Sequence, residues 1–431
     1  MNTVMPMRRI FRFWLPLQAT WLMMAFEGPF LAAIIARLPD PKFNLAAHGV
    51  AFALAVIVEA PVIMMMSAAT ALVSGDTSYR RLRNFTWALN VVITVAMLVL
   101  VTESVWNFLA LTAIGLDPEV ARLTRTALVI LLPWPAAIGY RRFCQGLLIR
   151  AGLTRRVAWG TMIRLVSMSG AALATWRFTD LPGAWVGACA LSTAVTVEAV
   201  ASHFMARGTI ARLLDTPDGE VLDYRGIERF YRPLALTSTI SLAVQPLVTF
   251  FMGQARFSLE SLAVLPVINA LVFVFRTPGL SFQEVAITLL GRNWDNLGQV
   301  RRFATLLGAV ATAGFALIAL TPLATVWLQT VSGLSPDLAD FARLPLRILV
   351  IMPALSVLLS LQRSLLVARR ATGPITWASV LEVSGIFVVL LLTVTKGGWV
   401  GATAAAAAFV VGRVAANGFL WRGVFRDGRI T

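Results

Sequence analysis

Long apolar stretches recur from one end of this 431-residue sequence to the other. A stretch of about 18 or more apolar residues is long enough for an α-helix to cross a hydrocarbon core of about 30 Å. Only 13% of the residues are charged, whereas soluble domains carry about a quarter. No hydrophilic segment is long enough to form a soluble domain. The sequence therefore predicts an all-α polytopic membrane protein.

The apolar stretches divide into twelve predicted membrane spans, which we number 1 to 12 in chain order. The even number predicts that both chain ends lie on the same side of the membrane. The predicted spans are at 11–36, 45–73, 84–104, 121–148, 157–178, 182–205, 230–254, 259–290, 302–330, 339–367, 374–395 and 398–421.

The basic residues are distributed unevenly between the loops. A formal net charge of +16 would indicate a nucleic-acid partner for a soluble protein. Here Lys and Arg are more than twice as frequent in the loops on the side of the termini as in the opposite loops. By the positive-inside rule, this difference places both termini in the cytoplasm. The excess charge therefore reports membrane topology, and we expect no nucleic-acid partner.

An internal repeat relates the two halves of the chain. At a shift of about 217 residues, the segment at 13–17 (FWLPL) matches that at 230–234 (FYRPL), and Pro61 matches Pro278. Because each repeat contains six spans, both have the same membrane orientation, related by a pseudo-two-fold axis along the membrane normal. We predict two six-helix lobes around a central cleft, which is transporter architecture. The predicted divisions are an N-terminal lobe at 1–206, a cytoplasmic linker at 207–229 and a C-terminal lobe at 230–431.

Two opposite charges lie at equivalent depth in the middle of spans 2 and 8. Glu59 and Arg276 are repeat equivalents, each two residues before a matched proline. A charge at the bilayer centre costs about 2.5–3.5 kcal/mol on insertion scales, so it generally faces a cavity or a partner. We predict that the two residues line the cleft, as an ion pair or as a cation site guarded by a carboxylate. The alternative is a static buried pair. Arg164 and Glu382 are a second opposite pair, for which packing and function stay equally open.

Other polar residues mark the faces that we expect to line the cavity. On span 8, Asn269 and Gln283 lie seven residues either side of Arg276, which places all three on one face. We therefore predict Arg276 as the main substrate-binding cation. The further predicted substrate-binding residues are Asn269, Gln283, Gln245 and Arg142, and the predicted coupling or gating residues are Glu59, Glu27 and Glu284.

The remaining membrane charges and the histidines indicate structural roles. We predict inter-helix pairing for Glu198 and Arg413, and snorkelling of Arg363 toward the membrane surface. Neither His48 nor His203 has a nearby carboxylate or cysteine cluster, so we predict no metal site. The sequence contains no Walker loop, nucleophile elbow or zinc motif. We therefore expect no cofactor and no enzymatic activity, and we expect transport to run on a gradient.

Three segments combine Pro, Gly and Arg within apolar helices. They are the segment at 44–52 (NLAAHGVAF) that leads to Glu59-Ala60-Pro61, the segment at 230–236 (FYRPLAL), and the segment from Pro345-Leu346-Arg347-Ile348 through Met352-Pro353. Together they resemble the progressive ankylosis protein family of the multidrug/oligosaccharidyl-lipid/polysaccharide (MOP) flippase superfamily. The resemblance covers nearly the whole chain. It implies a MATE-like fold and a bacterial homologue in the inner membrane.

The resemblance also implies export of small organic anions, such as pyrophosphate, nucleotides or citrate, by alternating access between the two lobes. The expected partners are a small anionic substrate, membrane lipid, and a proton or a sodium ion for coupling. The alternatives are a multidrug cation antiporter, a flippase for lipid-linked substrates, and an intramembrane enzyme or non-transporting scaffold. Loss of export after replacement of Glu27 or Glu59 by Gln, with Arg276 dispensable, would favour the multidrug antiporter.

Overall fold

The computed structural model describes residues 6–217, 222–290, 296–368 and 373–425. Within these residues, twelve helices are long and apolar enough to cross a membrane, which confirms the predicted class and number of spans. The spans are Met7–Ile35, Pro41–Leu72, Asp76–Leu100, Pro118–Arg150, Arg155–Phe178, Gly183–Leu214, Tyr224–Gly253, Ser258–Ile287, Leu297–Leu320, Pro336–Val367, Gly373–Lys396 and Gly401–Trp421.

Several spans consist of two helices that meet at a break inside the span, and the breaks follow the sequence repeat. In span 1 the break falls at Phe26 and in span 7 at Ala243, which are repeat equivalents. In span 4 the break follows Ile130, and in span 10 it follows the equivalent Ile348. The helices on either side are Met7–Ala25 and Glu27–Ile35, Tyr224–Leu242 and Val244–Gly253, Pro118–Ile130 and Pro133–Arg150, and Pro336–Ile348 and Met352–Ala368.

The loops before spans 2, 4, 8 and 10 repeat the same backbone conformations. Asp40 and Phe257 precede spans 2 and 8, with φ angles of 51° and 53° that side-chain-bearing residues rarely adopt. Gly115 and Gly333 precede spans 4 and 10, with φ angles of 78° and 76°. A stretch of π-helix precedes each of these glycines, Phe108–Ile114 in the first repeat and Val326–Val331 in the second. The sequence repeat is therefore a repeat of structure.

The contacts within the chain define two compact units that differ from the divisions drawn on the sequence. Unit 1 consists of Met1–Arg37 and Phe251–Thr431, and unit 2 consists of Leu38–Phe250. Each unit holds six spans, but spans 1 and 7 are exchanged relative to the sequence order of the repeats. The predicted linker at 207–229 is also largely helical where it is described, because span 6 continues to Leu214 and span 7 begins at Tyr224.

In unit 1, side-chain hydrogen bonds attach span 1 to span 8 around Pro278. The indole Nε1 of Trp14 donates to Ser281 Oγ at 2.8 Å. Gln18 donates from Nε2 to Thr277 Oγ1 at 3.0 Å and accepts from Ser281 Oγ at 2.7 Å. All four side chains are buried. This closed set of bonds explains why span 1 groups with the second half of the chain, because buried polar groups need partners.

In unit 2, span 7 makes the equivalent attachment to span 2. The α-helix of span 2 is interrupted at Ala60–Val62, where Pro61 has no N–H to donate. The Pro61 carbonyl accepts a hydrogen bond from the Tyr231 hydroxyl, and the Ala60 carbonyl accepts one from Ser238 Oγ at 2.8 Å. Tyr231 is the repeat equivalent of Trp14. Both halves therefore use the same aromatic position to hold a proline-containing span, although only span 2 is broken there.

We predict that Tyr231→Phe lowers the free energy of unfolding by about 1–2 kcal/mol, because the Pro61 carbonyl loses its donor. Thermal unfolding of the purified chain in detergent would measure the change. Tyr224→Phe is the matched control, since Tyr224 lies on the same span and is 52% exposed. Equal stability of the two variants would contradict the role given to the Tyr231 hydroxyl.

Candidate functional site

Span 6 carries a buried carboxylate that joins spans 4, 5 and 6 of unit 2. Glu198 is 1% exposed and accepts a hydrogen bond from Arg141 Nη1. Gln145 Nε2 donates to its other oxygen at 3.2 Å, and Arg164 Nε lies 3.8 Å from the same oxygen that Arg141 contacts. The inter-helix pairing predicted for Glu198 is therefore confirmed.

Glu59 and Arg142 lie beside this network. Glu59 is 8% exposed, and its carboxylate accepts a hydrogen bond from Trp134 Nε1. Arg142 contacts the thioether sulfur of Met66 at 3.9 Å, and its buried Nε has no hydrogen-bond partner. The Arg142 guanidinium and the Glu59 carboxylate are close enough to act electrostatically on one another. We call Glu59, Arg141, Arg142, Arg164 and Glu198 the unit 2 cluster; it holds three arginines and two carboxylates.

Unit 1 contains a second buried cluster. Arg413 Nη2 of span 12 lies 2.7 Å from Glu382 Oε1 of span 11, which confirms the inter-helix pairing predicted for Arg413. The charges of Arg363, Glu382 and Arg413 act on the Arg276 guanidinium. We call Arg276, Arg363, Glu382 and Arg413 the unit 1 cluster; it holds three arginines and one carboxylate.

Two arginines of the unit 1 cluster bind hydroxyl groups. Arg276 Nε donates to Ser356 Oγ of span 10 at 3.2 Å. Arg363 donates from Nη2 to Ser379 Oγ of span 11 at 3.2 Å, and its predicted snorkelling toward the membrane surface stays a prediction. A neutral hydroxyl satisfies one donor but supplies no negative charge. Within the described part of the chain, neither guanidinium group therefore has a hydrogen-bonded carboxylate to compensate its charge.

The ion pair between the last two spans of each repeat has opposite polarity in the two units. In unit 2 the arginine is Arg164 on span 5 and the carboxylate is Glu198 on span 6. In unit 1 the carboxylate is Glu382 on span 11 and the arginine is Arg413 on span 12. The repeat has thus kept the pairing between these two helices while exchanging the partners.

The remaining predicted site residues are divided between the units. Asn269 and Gln283 are half-buried on span 8, and the backbone carbonyl of Gln283 accepts a hydrogen bond from Ser364 Oγ at 3.1 Å. Gln245 is half-buried on span 7. Glu27 is half-buried at the first residue of the second helix of span 1. The Glu284 side chain lies outside the described part of the structure. Glu59 and Arg276 belong to different units, and their predicted pairing stays a prediction.

Sequence reasoning did not identify the uncharged partners of the charged residues. Trp134, which donates a hydrogen bond to Glu59, lies between Pro133 and Pro135. An aromatic residue with an N–H donor beside two prolines in a membrane span could have been predicted to bind a polar partner. No comparable signal marks Ser356 or Ser379, because serines are scattered throughout the spans. Among the described residues, no group of three or more His, Cys, Asp or Glu side chains is arranged to hold a metal ion.

No known family profile and no curated protein sequence matches the chain. Solved structures do match it. A multidrug resistance MATE family transporter of the MOP superfamily, in an inward-facing conformation, has a TM-score of 0.72 at 14% identity and covers 95% of this chain and 96% of its own. A MOP superfamily transporter from Pyrococcus furiosus has a TM-score of 0.63 at 16% identity, over 96% and 95%.

The lipid II flippase MurJ, in an inward closed conformation, also matches, with a TM-score of 0.63 at 14% identity over 95% of this chain and 87% of its own. At these identities the comparisons establish the fold. The chain is a multi-pass membrane protein with the fold of the MATE transporters, as predicted from the sequence.

We predict that Glu198→Gln lowers the free energy of unfolding by about 3–5 kcal/mol, because it leaves two guanidinium groups buried without their carboxylate. Glu119→Gln is the matched control; it breaks an ion pair with Arg122 whose side chains are 46% and 57% exposed, and exposed pairs contribute about 1 kcal/mol or less. Denaturation in mixed micelles followed by circular dichroism compares the two. A Glu198→Gln variant as stable as Glu119→Gln would show that the network contributes little.

Proposed function

We propose that the protein is a secondary active, alternating-access exporter of small organic or polyphosphate anions. The observation that supports this proposal is the charge balance of the two buried clusters. Arginines outnumber carboxylates in each, by three to two in unit 2 and by three to one in unit 1. Unpaired charge inside a membrane span marks a substrate or ion pathway. Excess positive charge favours an anion as the substrate.

Arginine is suited to this role because of its geometry. The guanidinium stays charged at all physiological pH values and presents five N–H donors in a planar fork that matches carboxylate and phosphate oxygens. Arg142 contacts only a thioether and Arg276 only a hydroxyl among the described residues. Most of their donors are therefore available to an oxyanion, which would form short, charge-assisted and bidentate hydrogen bonds.

Glu59 is the carboxylate that we assign to coupling. It is almost fully buried and receives one hydrogen bond, from Trp134. Burial in an apolar cavity disfavours the charged form of a carboxylate, whereas neighbouring arginines favour it. Arg142 therefore links the two binding events, because it can be compensated either by the Glu59 carboxylate or by an anion. Glu27 is the second candidate for this role. A sodium ion in place of the proton is the alternative coupling ion.

The comparisons support two further parts of the proposal. Transporters with this fold have been solved in inward-facing and outward-facing conformations, which is consistent with alternating access. The Pyrococcus furiosus transporter is described as having a binding pocket of reverse polarity that suggests a different function. This fold is therefore not tied to one polarity of binding pocket. We further propose that the chain is related to the progressive ankylosis family and lies in a bacterial inner membrane with both termini in the cytoplasm.

Two other functions of the same fold are the alternatives. One is a multidrug efflux antiporter, as the description of the inward-facing neighbour indicates for that protein. The other is a flippase for lipid-linked substrates, as described for MurJ. An antiporter for cationic drugs would depend on Glu59 or Glu27 and would not need Arg276. A flippase would move a lipid-linked substrate and leave free anions untouched.

We expect the purified protein in proteoliposomes to transport radiolabelled pyrophosphate, citrate or ATP in preference to a cationic dye. Arg276→Gln and Arg142→Gln should each reduce anion transport at least tenfold, because each removes a charge-assisted contact. Arg302→Gln is the control, since Arg302 is exposed on span 9. Dye export that survives Arg276→Gln, without any anion transport, would refute the proposal in favour of the multidrug antiporter.

We also expect Glu59→Gln to abolish the dependence of anion transport on an imposed pH gradient, because glutamine cannot exchange a proton. Counterflow of substrate without a gradient should persist in this variant. Wild-type transport that does not respond to pH or sodium gradients would exclude coupling through Glu59 and indicate a uniporter. Glu119→Gln, at an exposed ion pair, is the matched control.

A further inference from the structure

The unit 1 cluster has an excess of positive charge that its own residues do not neutralise. Arg413 is paired with Glu382 at 2.7 Å, with the two side chains 11% and 15% exposed. Arg276 and Arg363 each bind a serine hydroxyl, and Glu382 is the one carboxylate among the charges that act on Arg276. Among the described residues of this cluster, three guanidinium groups therefore share one carboxylate, that of Glu382.

Buried polar atoms without partners occur on two of the spans that carry this cluster, spans 10 and 12. The Nε atoms of Arg363 and Arg413 are buried and have no hydrogen-bond acceptor. On the same two spans, Gln362 Oε1 and Asn417 Oδ1 are buried and have no donor, and these side chains are 1% and 5% exposed. Such groups are rare in proteins and indicate a missing ion or water. Here they occur beside uncompensated charge, which points to a ligand that is both anionic and hydrated.

The excess of arginines over carboxylates is smaller in the unit 2 cluster. It contains a second carboxylate, Glu59, at the repeat position that Arg276 occupies in unit 1. The unit 2 cluster has one more arginine than it has carboxylates, whereas the unit 1 cluster has two more. The stronger requirement for a counter-charge therefore lies among spans 8, 10, 11 and 12.

We propose that the unit 1 cluster binds one oxyanion group, a carboxylate or a phosphoryl group, between Arg276 and Arg363. The Ser356 and Ser379 hydroxyls hold the two guanidinium groups through one donor each and leave the remaining donors for the ligand. The Arg413–Glu382 pair is the positioning pair, because the salt bridge fixes Arg413 beside the site. This site rests on the proposed function for the source of its ligand, which would be the transported anion.

The test is equilibrium binding of inorganic pyrophosphate to the purified full-length chain in detergent, measured by calorimetry at low salt. Arg363→Gln should weaken binding about tenfold or more, and Ser379→Ala should weaken it less, because charge-assisted hydrogen bonds contribute more than neutral ones. Arg302→Gln, an exposed arginine of the same unit, should bind as the wild type does. Wild-type affinity in Arg363→Gln would overturn the proposal.

Thermal unfolding separates a ligand site from a purely structural role. Pyrophosphate should raise the unfolding temperature of the wild type and leave that of Arg363→Gln unchanged, because a ligand stabilises only the state that binds it. Without ligand, Arg363→Gln should be at least as stable as the wild type, since it removes an uncompensated charge. A large loss of stability in the ligand-free variant would assign Arg363 to packing and overturn the site.

The remaining outcomes distinguish this site from the proposed function. Anion transport that continues unchanged in Arg363→Gln, with unchanged pyrophosphate binding, would overturn the site and leave the exporter intact. Binding of pyrophosphate that requires Arg363, in a protein that transports only a cationic dye, would support the site and refute anion export. An equal shift of unfolding temperature with chloride alone would identify a fixed halide counter-ion and overturn the oxyanion assignment.

Discussion

Every polar group that enters the hydrocarbon region must find a partner inside the protein, because the bilayer supplies none. The clearest example is the break in span 2, where the Ala60 and Pro61 carbonyls accept from Ser238 and Tyr231 of span 7. Trp14 and Gln18 bind span 8 in the same region of the other repeat. These attachments explain why the compact units each contain six spans but exchange the first span of each repeat.

The same requirement, applied to charge, determines where function can reside. Glu198 and Glu382 are satisfied by arginines on neighbouring spans, so they hold helices together. Arg142, Arg276 and Arg363 have only a thioether or a hydroxyl as partners among the described residues. Desolvating a charge without a counter-charge is expensive. We therefore propose a mobile ligand as the partner of these three residues.

Much of the fold follows from patterns that act locally. Span number and length come from hydropathy, and the repeat appears in the sequence because prolines and turn residues such as Gly115 and Gly333 occupy fixed offsets. The pairings of Glu198 and Arg413 were also predictable, because a deep charge needs a partner. The assignment of spans to units was not predictable, since the hydrogen bond between Trp14 and Ser281 joins residues far apart in the chain. The hydroxyl partner of Arg363 on span 11 was not predictable either, because it carries no sequence signal.

The reversed polarity of the two inter-helix ion pairs has a consequence for assembly. If span 5 were to associate with span 12, Arg164 would meet Arg413; if span 11 were to associate with span 6, Glu382 would meet Glu198. Like charges brought together in a low-dielectric interior repel strongly, whereas the native neighbours attract. Wrong pairing of the last two spans of one repeat with the last two of the other is thus disfavoured while the chain is being inserted. Because arginine and glutamate have exchanged positions between the two repeats, each of these spans attracts only its neighbour in the same half.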